Sequence, residues 1–304
     1  MMKLAFILDE LHLIKIDKDS SFAMMVEAAS RGYELFVIKQ DGLLWKNGKT
    51  FGISYSIELT GHTDIGSSWY KIVEIGEVPL QEYDAVLMRK DPPVNVEYIY
   101  STYLLELAEM QGVCIINSPQ GIRNHNEKLS IAKFTQFIAP TLVTRKQSLI
   151  RQFLDEYSDI ILKPLDGMGG AGIFHVNGID PNISVIIEAL TNYGTKTIMA
   201  QRYIPEISQG DKRILLIDGR AIPYALARVP GAGESRANLA VGGSGIVQPL
   251  TSRDRAIAET LGPYLHDQGL MLVGLDVIGE YLTEINVTSP TCMQEISKLT
   301  DLNV

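Results

Sequence analysis

Asp276, Glu284 and Asn286 are the residues best placed by type and spacing to do chemistry in this 304-residue chain. They fall in the stretch Val273-Gly-Leu-Asp-Val-Ile-Gly-Glu-Tyr-Leu-Thr-Glu-Ile-Asn-Val287. Two alternating runs flank Gly279-Glu280, the pattern of a tight β-hairpin. Side chains two apart share one face of a strand. Glu284 and Asn286 therefore point together, and Ile285 and Val287 point the other way. Asp276 interrupts the apolar run of the partner strand in the same manner. Three oxygen-bearing side chains thus converge where a core would take aliphatics. Hard oxygen ligands suit Mg²⁺, which usually completes its shell with water and nucleotide phosphates. The competing reading is a set of solvent-facing residues on an antiparallel sheet.

A second feature is Leu165-Asp-Gly-Met-Gly-Gly-Ala-Gly172, with four glycines in eight residues between two β-like runs. Such a loop lets backbone N–H groups approach an anion, because no side chain stands in the way. It lacks the Gly-Lys-Ser/Thr ending of a Walker loop, and a strand rather than a helix follows it. A plain hairpin turn is the alternative. Lys163 ends the strand that enters the loop, and a buried charge there needs a partner such as phosphate. Lys128 lies on an expected helix, where an ordinary solvated lysine is the simpler reading. Gln201-Arg-Tyr-Ile-Pro-Glu206 follows a buried strand and breaks at Pro205. Its extended backbone could read the edge of an adenine.

Arginines mark the other wall. Arg213 and Arg228 stand at the ends of adjacent strands. Arg89, in Met88-Arg-Lys-Asp-Pro-Pro93, leaves a strand of the first unit, and its guanidinium suits a substrate carboxylate. Residues 231–245 carry five glycines and Arg236, the composition of a charged lid or of a surface loop. The five histidines and two cysteines form no metal-ligand spacing, and no nucleophile elbow is present. Cys292 reads as structural.

These residues need elements to hold them. A strand at 3–8, a helix at 20–31 and a strand at 34–38 open a doubly wound parallel sheet. Residues 42–70 read as short antiparallel strands and loops. A strand at 85–88, a helix at 98–109 and a strand at 113–116 complete the first unit. The second has a helix over 126–133, then strands at 141–144, 160–163, 172–176 and 197–201, with helices at 148–156 and 184–190. From 201 the pattern is mainly antiparallel, with strands at 212–217 and 220–228, a long helix at 253–268, the hairpin and a short helix start at 292–299. The expected fold is therefore α/β, in three domains: 1–120, 121–200 and 201–304.

Composition narrows the function. Hydrophobic content of 46% supports a real core, and a net charge of −9 argues against a general nucleic-acid binder. Any anionic ligand must meet local clusters of Lys and Arg. No apolar run is long enough to span a membrane, and the N-terminus does not read as a signal peptide. With two distant cysteines, a cytoplasmic, reducing setting is expected.

The order of these motifs resembles the ATP-grasp ligases, and closely the bacterial type of glutathione synthetase. The resemblance rests on Met88-Arg-Lys-Asp-Pro-Pro93, Lys163-Pro-Leu-Asp-Gly-Met-Gly-Gly170, Gly210-Asp-Lys-Arg213, Leu226-Ala-Arg228, Val273-Gly-Leu-Asp276 and Leu282-Thr-Glu-Ile-Asn-Val-Thr-Ser-Pro-Thr291. It implies an ATP-grasp fold behind an open parallel α/β domain. It implies the joining of γ-L-glutamyl-L-cysteine to glycine with ATP, through an acyl phosphate. By resemblance, Lys128 and Lys163 meet the ATP phosphates, with Gly167, Gly169 and Gly170 as the phosphate loop. Gln201, Tyr203 and Ile204 form the adenine side, and Asp276, Glu284 and Asn286 the Mg²⁺ or Mn²⁺ ligands. Arg89, Arg213, Arg228 and Arg236 serve the peptide and the transferred phosphoryl group, the last three also as catalytic groups. A homo-oligomer, dimer or tetramer, is implied, with no nucleic-acid or membrane partner. The chain ends at Val304, where the family pattern continues into a further helix. The alternatives are another ATP-grasp carboxylate–amine ligase, such as a D-alanine–D-alanine type, and a nucleotide-binding regulatory protein without turnover.

Overall fold

The computed structural model describes residues 1–61, 68–231 and 244–304. Strand β1 (Lys3–Leu8) is apolar throughout but for Lys3, because it lies inside the first sheet. Helix α1 (Ser20–Ser30) follows it. Asp19 caps the helix by accepting from the Phe22 N–H at 2.8 Å, and Met25 and Ala28 face the core. Strands β2 (Glu34–Lys46), β3 (Lys49–Leu59) and β4 (Tyr70–Pro79) form an antiparallel run longer than the sequence suggests. Strand β5 (Ala85–Met88), helix α2 (Val96–Glu109) and a two-residue strand β6 (Ile115–Ile116) close the unit. The sheet order is β4-β3-β2-β1-β5-β6, parallel from β2 through β6. The β-α-β opening is therefore as expected.

Helix α3 (Pro119–Asn124) leads to a 3-10 helix over Leu129–Lys133, not the regular helix expected over 126–133. The reason is local. The Asn126 side chain accepts from the N–H groups of Lys128 and Leu129, an Asx-type turn that competes with the helix ladder. The second sheet combines β7 (Thr141–Thr144), β8 (Asp159–Pro164), β9 (Phe174–Asn177) and β10 (Ile198–Arg202) in the order β7-β10-β8-β9. Helices α4 (Gln147–Tyr157) and α5 (Ile183–Leu190) cover it through Ile150, Leu154 and Ile187.

The third sheet has the order β13-β12-β11-β14-β15 and is fully antiparallel. Its strands are β11 (Asp211–Ile217), β12 (Arg220–Val229), β13 (Ser244–Pro249), β14 (Leu272–Ile278) and β15 (Tyr281–Asn286). Helix α6 (Ser252–Asp267) packs on it, opened by a Thr251–Asp254 capping box. The short helix α7 (Met293–Leu299) follows the hairpin.

Sheets one and three share one core, in which Ile7, Val86 and Met88 join Ile214, Leu275 and Ile285. Asn117 fastens them. Its Nδ2 donates to the carbonyls of Leu272 and Val287, both at 2.8 Å, and its Oδ1 accepts from the Leu272 N–H at 2.9 Å. The second sheet keeps a core of its own. Among the described residues no helix is long and apolar enough to cross a membrane.

Candidate active site

The second and third sheets face each other across a cavity of about 360 Å³. Its floor is the β14–β15 hairpin. Asp276 pairs with Glu284 and Gly274 with Asn286, so the three oxygen-bearing side chains sit on one face as expected. Ile285 and Val287 are fully buried on the other face. Asp276 is itself only 4% exposed, which excludes the solvent-facing reading.

Asp276 is held by two arginines. Arg213 Nε donates to Oδ1 at 2.5 Å and Nη2 to Oδ2 at 3.0 Å. Arg228 Nη2 reaches Asp276 Oδ2 at 2.9 Å and Asp211 Oδ2 at 2.6 Å. Gly274 makes the approach possible: a Cβ there would lie 2.9 Å from Arg213 Cδ. Burial alone would raise the Asp276 carboxyl, but Arg213 and Arg228 outweigh it and hold the group well below the usual carboxylate range.

The roof comes from β8 and its loop. Lys163 is buried on β8, donating weakly to Gln201 Oε1 at 3.4 Å and the Thr283 carbonyl at 3.3 Å. Burial lowers its pKa, with Glu284 opposing. Lys128 is 4% exposed, so the solvated reading of this lysine fails. Its Nζ donates to the Gly167 carbonyl at 2.6 Å and stands 3.4 Å from Glu284 Oε1. Lys163 lies 4.0 Å from the same oxygen. Two ammonium groups therefore share one carboxylate beneath the glycine loop. Gly169 and Gly170 adopt φ of +62° and +81°, which favours glycine. A Cβ on Gly167 would meet Pro164 Cγ at 2.9 Å.

Gln201, Tyr203 and Ile204 line the opposite end with Ile161, Ile207 and Ile278. Four isoleucines, Ile161, Ile204, Ile207 and Ile278, make this part of the lining apolar. Tyr203 stacks on His175 with ring centroids 4.0 Å apart.

The structure thus gathers Lys128, Lys163, Gly167, Gly169, Gly170, Gln201, Tyr203, Ile204, Arg213, Arg228, Asp276, Glu284 and Asn286 around one cavity. Arg89 stands apart. It is buried behind the cavity wall, donating to Ser21 Oγ at 3.0 Å and the Pro290 carbonyl at 2.9 Å, while its Nη1 has no partner. Arg236 and most of the 231–245 stretch lie outside the described residues.

The donor set fits a hard cation. Asp276 Oδ1 takes one hydrogen bond, and a carboxylate oxygen can accept more. Asn286 Nδ2 points to the Gly274 carbonyl and to Asp276 Oδ2, which leaves its own oxygen free to coordinate. Among the described residues no group of three His, Cys, Asp or Glu is placed to hold a metal. Two carboxylates and one amide suit an ion that takes further oxygens from phosphate and water.

Two lining residues escaped the sequence reading. Glu127 accepts from the Val287 and Thr288 N–H groups, and burial raises its pKa. Asp211 carries a buried oxygen, Oδ1, without a partner. Burial pushes its carboxyl up to about 7 from the usual 3.8, against the pull of Arg228. Both precede a basic residue already noted, in Glu127-Lys128 and Asp211-Lys-Arg213, and that adjacency was the available signal.

Asp211 has a pH signature. Its folded pKa is raised, so the folded state binds more protons between 3.8 and about 7. Its stabilising contribution is complete below that window and is lost as pH rises through it. Asp211→Asn is expected to flatten the stability profile over that window, read from urea midpoints. Equal slopes for variant and wild type would refute the assignment.

Two sheets that close on one cavity, the glycine loop of one facing the carboxylate hairpin of the other, are the arrangement of an ATP-grasp ligase. The crystal structure of D-cycloserine synthetase DcsG has this fold, with a TM-score of 0.65 at 15% identity over 95% of this chain and 92% of that one. Sequence comparison is more specific. Residues 2–123 match the prokaryotic glutathione synthetase N-terminal domain, and residues 127–301 the prokaryotic glutathione synthetase ATP-grasp domain. The glutathione synthetase of Nitrosomonas europaea is 61% identical over 303 residues, spanning 100% of this chain and 95% of that protein. That of Ralstonia nicotianae is 54% identical, spanning 100% and 93%. The chain belongs to the prokaryotic glutathione synthetase family.

Proposed function

We propose that the protein joins γ-L-glutamyl-L-cysteine to glycine, converting ATP to ADP and phosphate and releasing glutathione. The observation that carries this is the convergence of Lys128, Lys163, Arg213 and Arg228 with the Asp276–Glu284–Asn286 face on one cavity. The named relatives, alike over the whole chain, support the choice of substrates.

The cysteinyl carboxylate attacks the γ-phosphorus, the bond to the bridging oxygen breaks, and ADP leaves. The amine of glycine then attacks the acyl carbon, loses a proton and displaces phosphate. Phosphoryl transfer asks for positioning and charge neutralisation, not a protein nucleophile. Lys128, Lys163 and the backbone of Gly167, Gly169 and Gly170 hold the phosphates. Arg213 and Arg228 face the transferred group, and Ile161, Tyr203, Ile204 and Ile278 enclose the base. Asp276, Glu284 and Asn286 would hold Mg²⁺ or Mn²⁺, which when bound neutralises phosphate charge. Cys292 is buried and its thiol is pushed up by that burial, which makes it a poor nucleophile. Arg89, behind Pro290, supports the peptide side of the cavity.

This reading carries three domains, divided near residue 120 and just after Arg202, because β10 runs through residues 200 and 201. It also carries a cytoplasmic homo-oligomer of two or four chains. The test is ADP release by purified protein with Mg·ATP and the dipeptide, with and without glycine, identifying the product by mass. Glycine-dependent release of glutathione is expected. Turnover only with a different acceptor pair would discard the substrates and keep the nucleotide site. Nucleotide binding with no turnover on any pair would overturn the enzymatic reading.

A further inference from the structure

The tripeptide Asn126-Glu127-Lys128 touches both walls of the cavity. Asn126 Nδ2 donates to the Leu165 carbonyl at 3.0 Å, at the start of the glycine loop. Lys128 Nζ donates to the Gly167 carbonyl of the same loop at 2.6 Å. Glu127 faces the other way. Its Oε1 accepts three hydrogen bonds: from the Val287 N–H at 2.9 Å, the Thr288 N–H at 3.1 Å and Thr288 Oγ1 at 2.8 Å. Its own carbonyl accepts from the Ile285 N–H at 2.8 Å. These four donors bracket Asn286 and follow Glu284, so they belong to the segment that presents the cation-binding oxygens.

We infer that Glu127 is a positioning residue, which locks the segment carrying Glu284 and Asn286 to the turn carrying Lys128. This rests on the ligase reading for its consequence and on the hydrogen bonds for its geometry. Three donors converging on one oxygen fix a backbone position far better than a single bond does. A carboxylate in this place is also unfavourable on its own, because burial opposes its charge and Glu284 repels it. Anchoring the strand end is the compensating gain. The bonds all fall on Oε1, so the amide oxygen of glutamine could accept them equally.

The experiment compares Glu127→Ala with Glu127→Gln in the full chain. Groups that orient metal ligands typically cost about 10–100-fold in metal affinity or activity when removed. For Glu127→Ala we expect kcat to fall in that range and the half-saturating Mg²⁺ concentration to rise in the same range. KM for the dipeptide should move less than about threefold, and Glu127→Gln should recover most of the loss. Calorimetry of ADP binding supplies a second readout that needs no peptide substrate. The gain in ADP affinity on adding Mg²⁺ should shrink in Glu127→Ala and return in Glu127→Gln. Should the alanine variant not fold, Glu127→Asp retracts the oxygen by one methylene and carries the same expectation. Glu127→Gln as impaired as Glu127→Ala would overturn the inference, since the charge itself would then be acting on a ligand. An unchanged Mg²⁺ increment in Glu127→Ala would overturn it too. A wild type that binds Mg·ADP but forms no glutathione would sink the proposed function and leave the positioning role to be judged by calorimetry.

Discussion

Glu284→Ala is expected to remain folded and to lose ligation by about 10³-fold, the scale at which one group that organises transition-state charge is felt in phosphoryl transfer. Asp276→Ala should lose as much activity and also lose stability. From sequence the two carboxylates look equivalent, and either alanine variant is expected to leave the fold intact. The structure separates them. Glu284 is the less buried of the two, and both lysines near it keep carbonyl or amide partners when it is removed. A cost of about 1 kcal/mol is expected. Asp276 compensates two buried guanidiniums, Arg213 at 2.5 Å and Arg228 at 2.9 Å. Removing it leaves two buried cations with one carboxylate, Asp211, between them. Breaking a buried pair in this way costs about 3–5 kcal/mol. Denaturant midpoints and nucleotide-dependent turnover on the same samples decide it. Normal turnover by Glu284→Ala would remove it from the cation site. Equal midpoints for the two variants would show that Asp276 does not hold the arginines.

The hairpin and the Lys163 loop were legible because their signals are local. Period-two alternation fixes which side chains of β15 share a face, and Gly279 marks the turn. The β-α-β opening was legible for the same reason, since a short apolar run with a capped helix after it admits few arrangements. What sequence could not supply were distances across the chain. Lys128 reads as a solvated residue until the Gly167 carbonyl and Glu284 are seen beside it. Arg89 points to a ligand carboxylate by its place after a strand, but sequence cannot show that Ser21 and Pro290 take its Nε and Nη2 while Nη1 keeps no partner. Glu127 has no pattern of its own, because its three donors lie some 160 residues later. The regular helix expected over 126–133 failed for a related reason. An Asx turn at Asn126 changes the backbone locally, and that turn is what aims Lys128 at the loop.

Lys163 carries the second large effect, with activity and stability moving in opposite directions. Its Nζ is buried, its two hydrogen bonds are long at 3.3 Å and 3.4 Å, and its nearest carboxylate oxygen is 4.0 Å away. Burial lowers its pKa, so the folded protein without nucleotide holds this charge at a cost. A methionine of similar length would take the same place, across from Met199 of β10, with no charge to desolvate. Lys163→Met should therefore lose about 10²–10³-fold in kcat, the effect of removing one fixed charge from a developing anion. Its denaturation midpoint in the absence of nucleotide should be equal to or above that of the wild type. Such a trade is common where a site stores unfavourable charge for a ligand that neutralises it. The two outcomes separate cleanly. A midpoint lowered by more than about 2 kcal/mol of stability would mean that Lys163 holds the sheet together through Gln201 and Thr283, and that its loss of activity is structural. A stable variant that still binds and turns over ATP normally would take Lys163 out of the phosphate site. Only loss of turnover with stability retained fits a lysine kept in place for the phosphates.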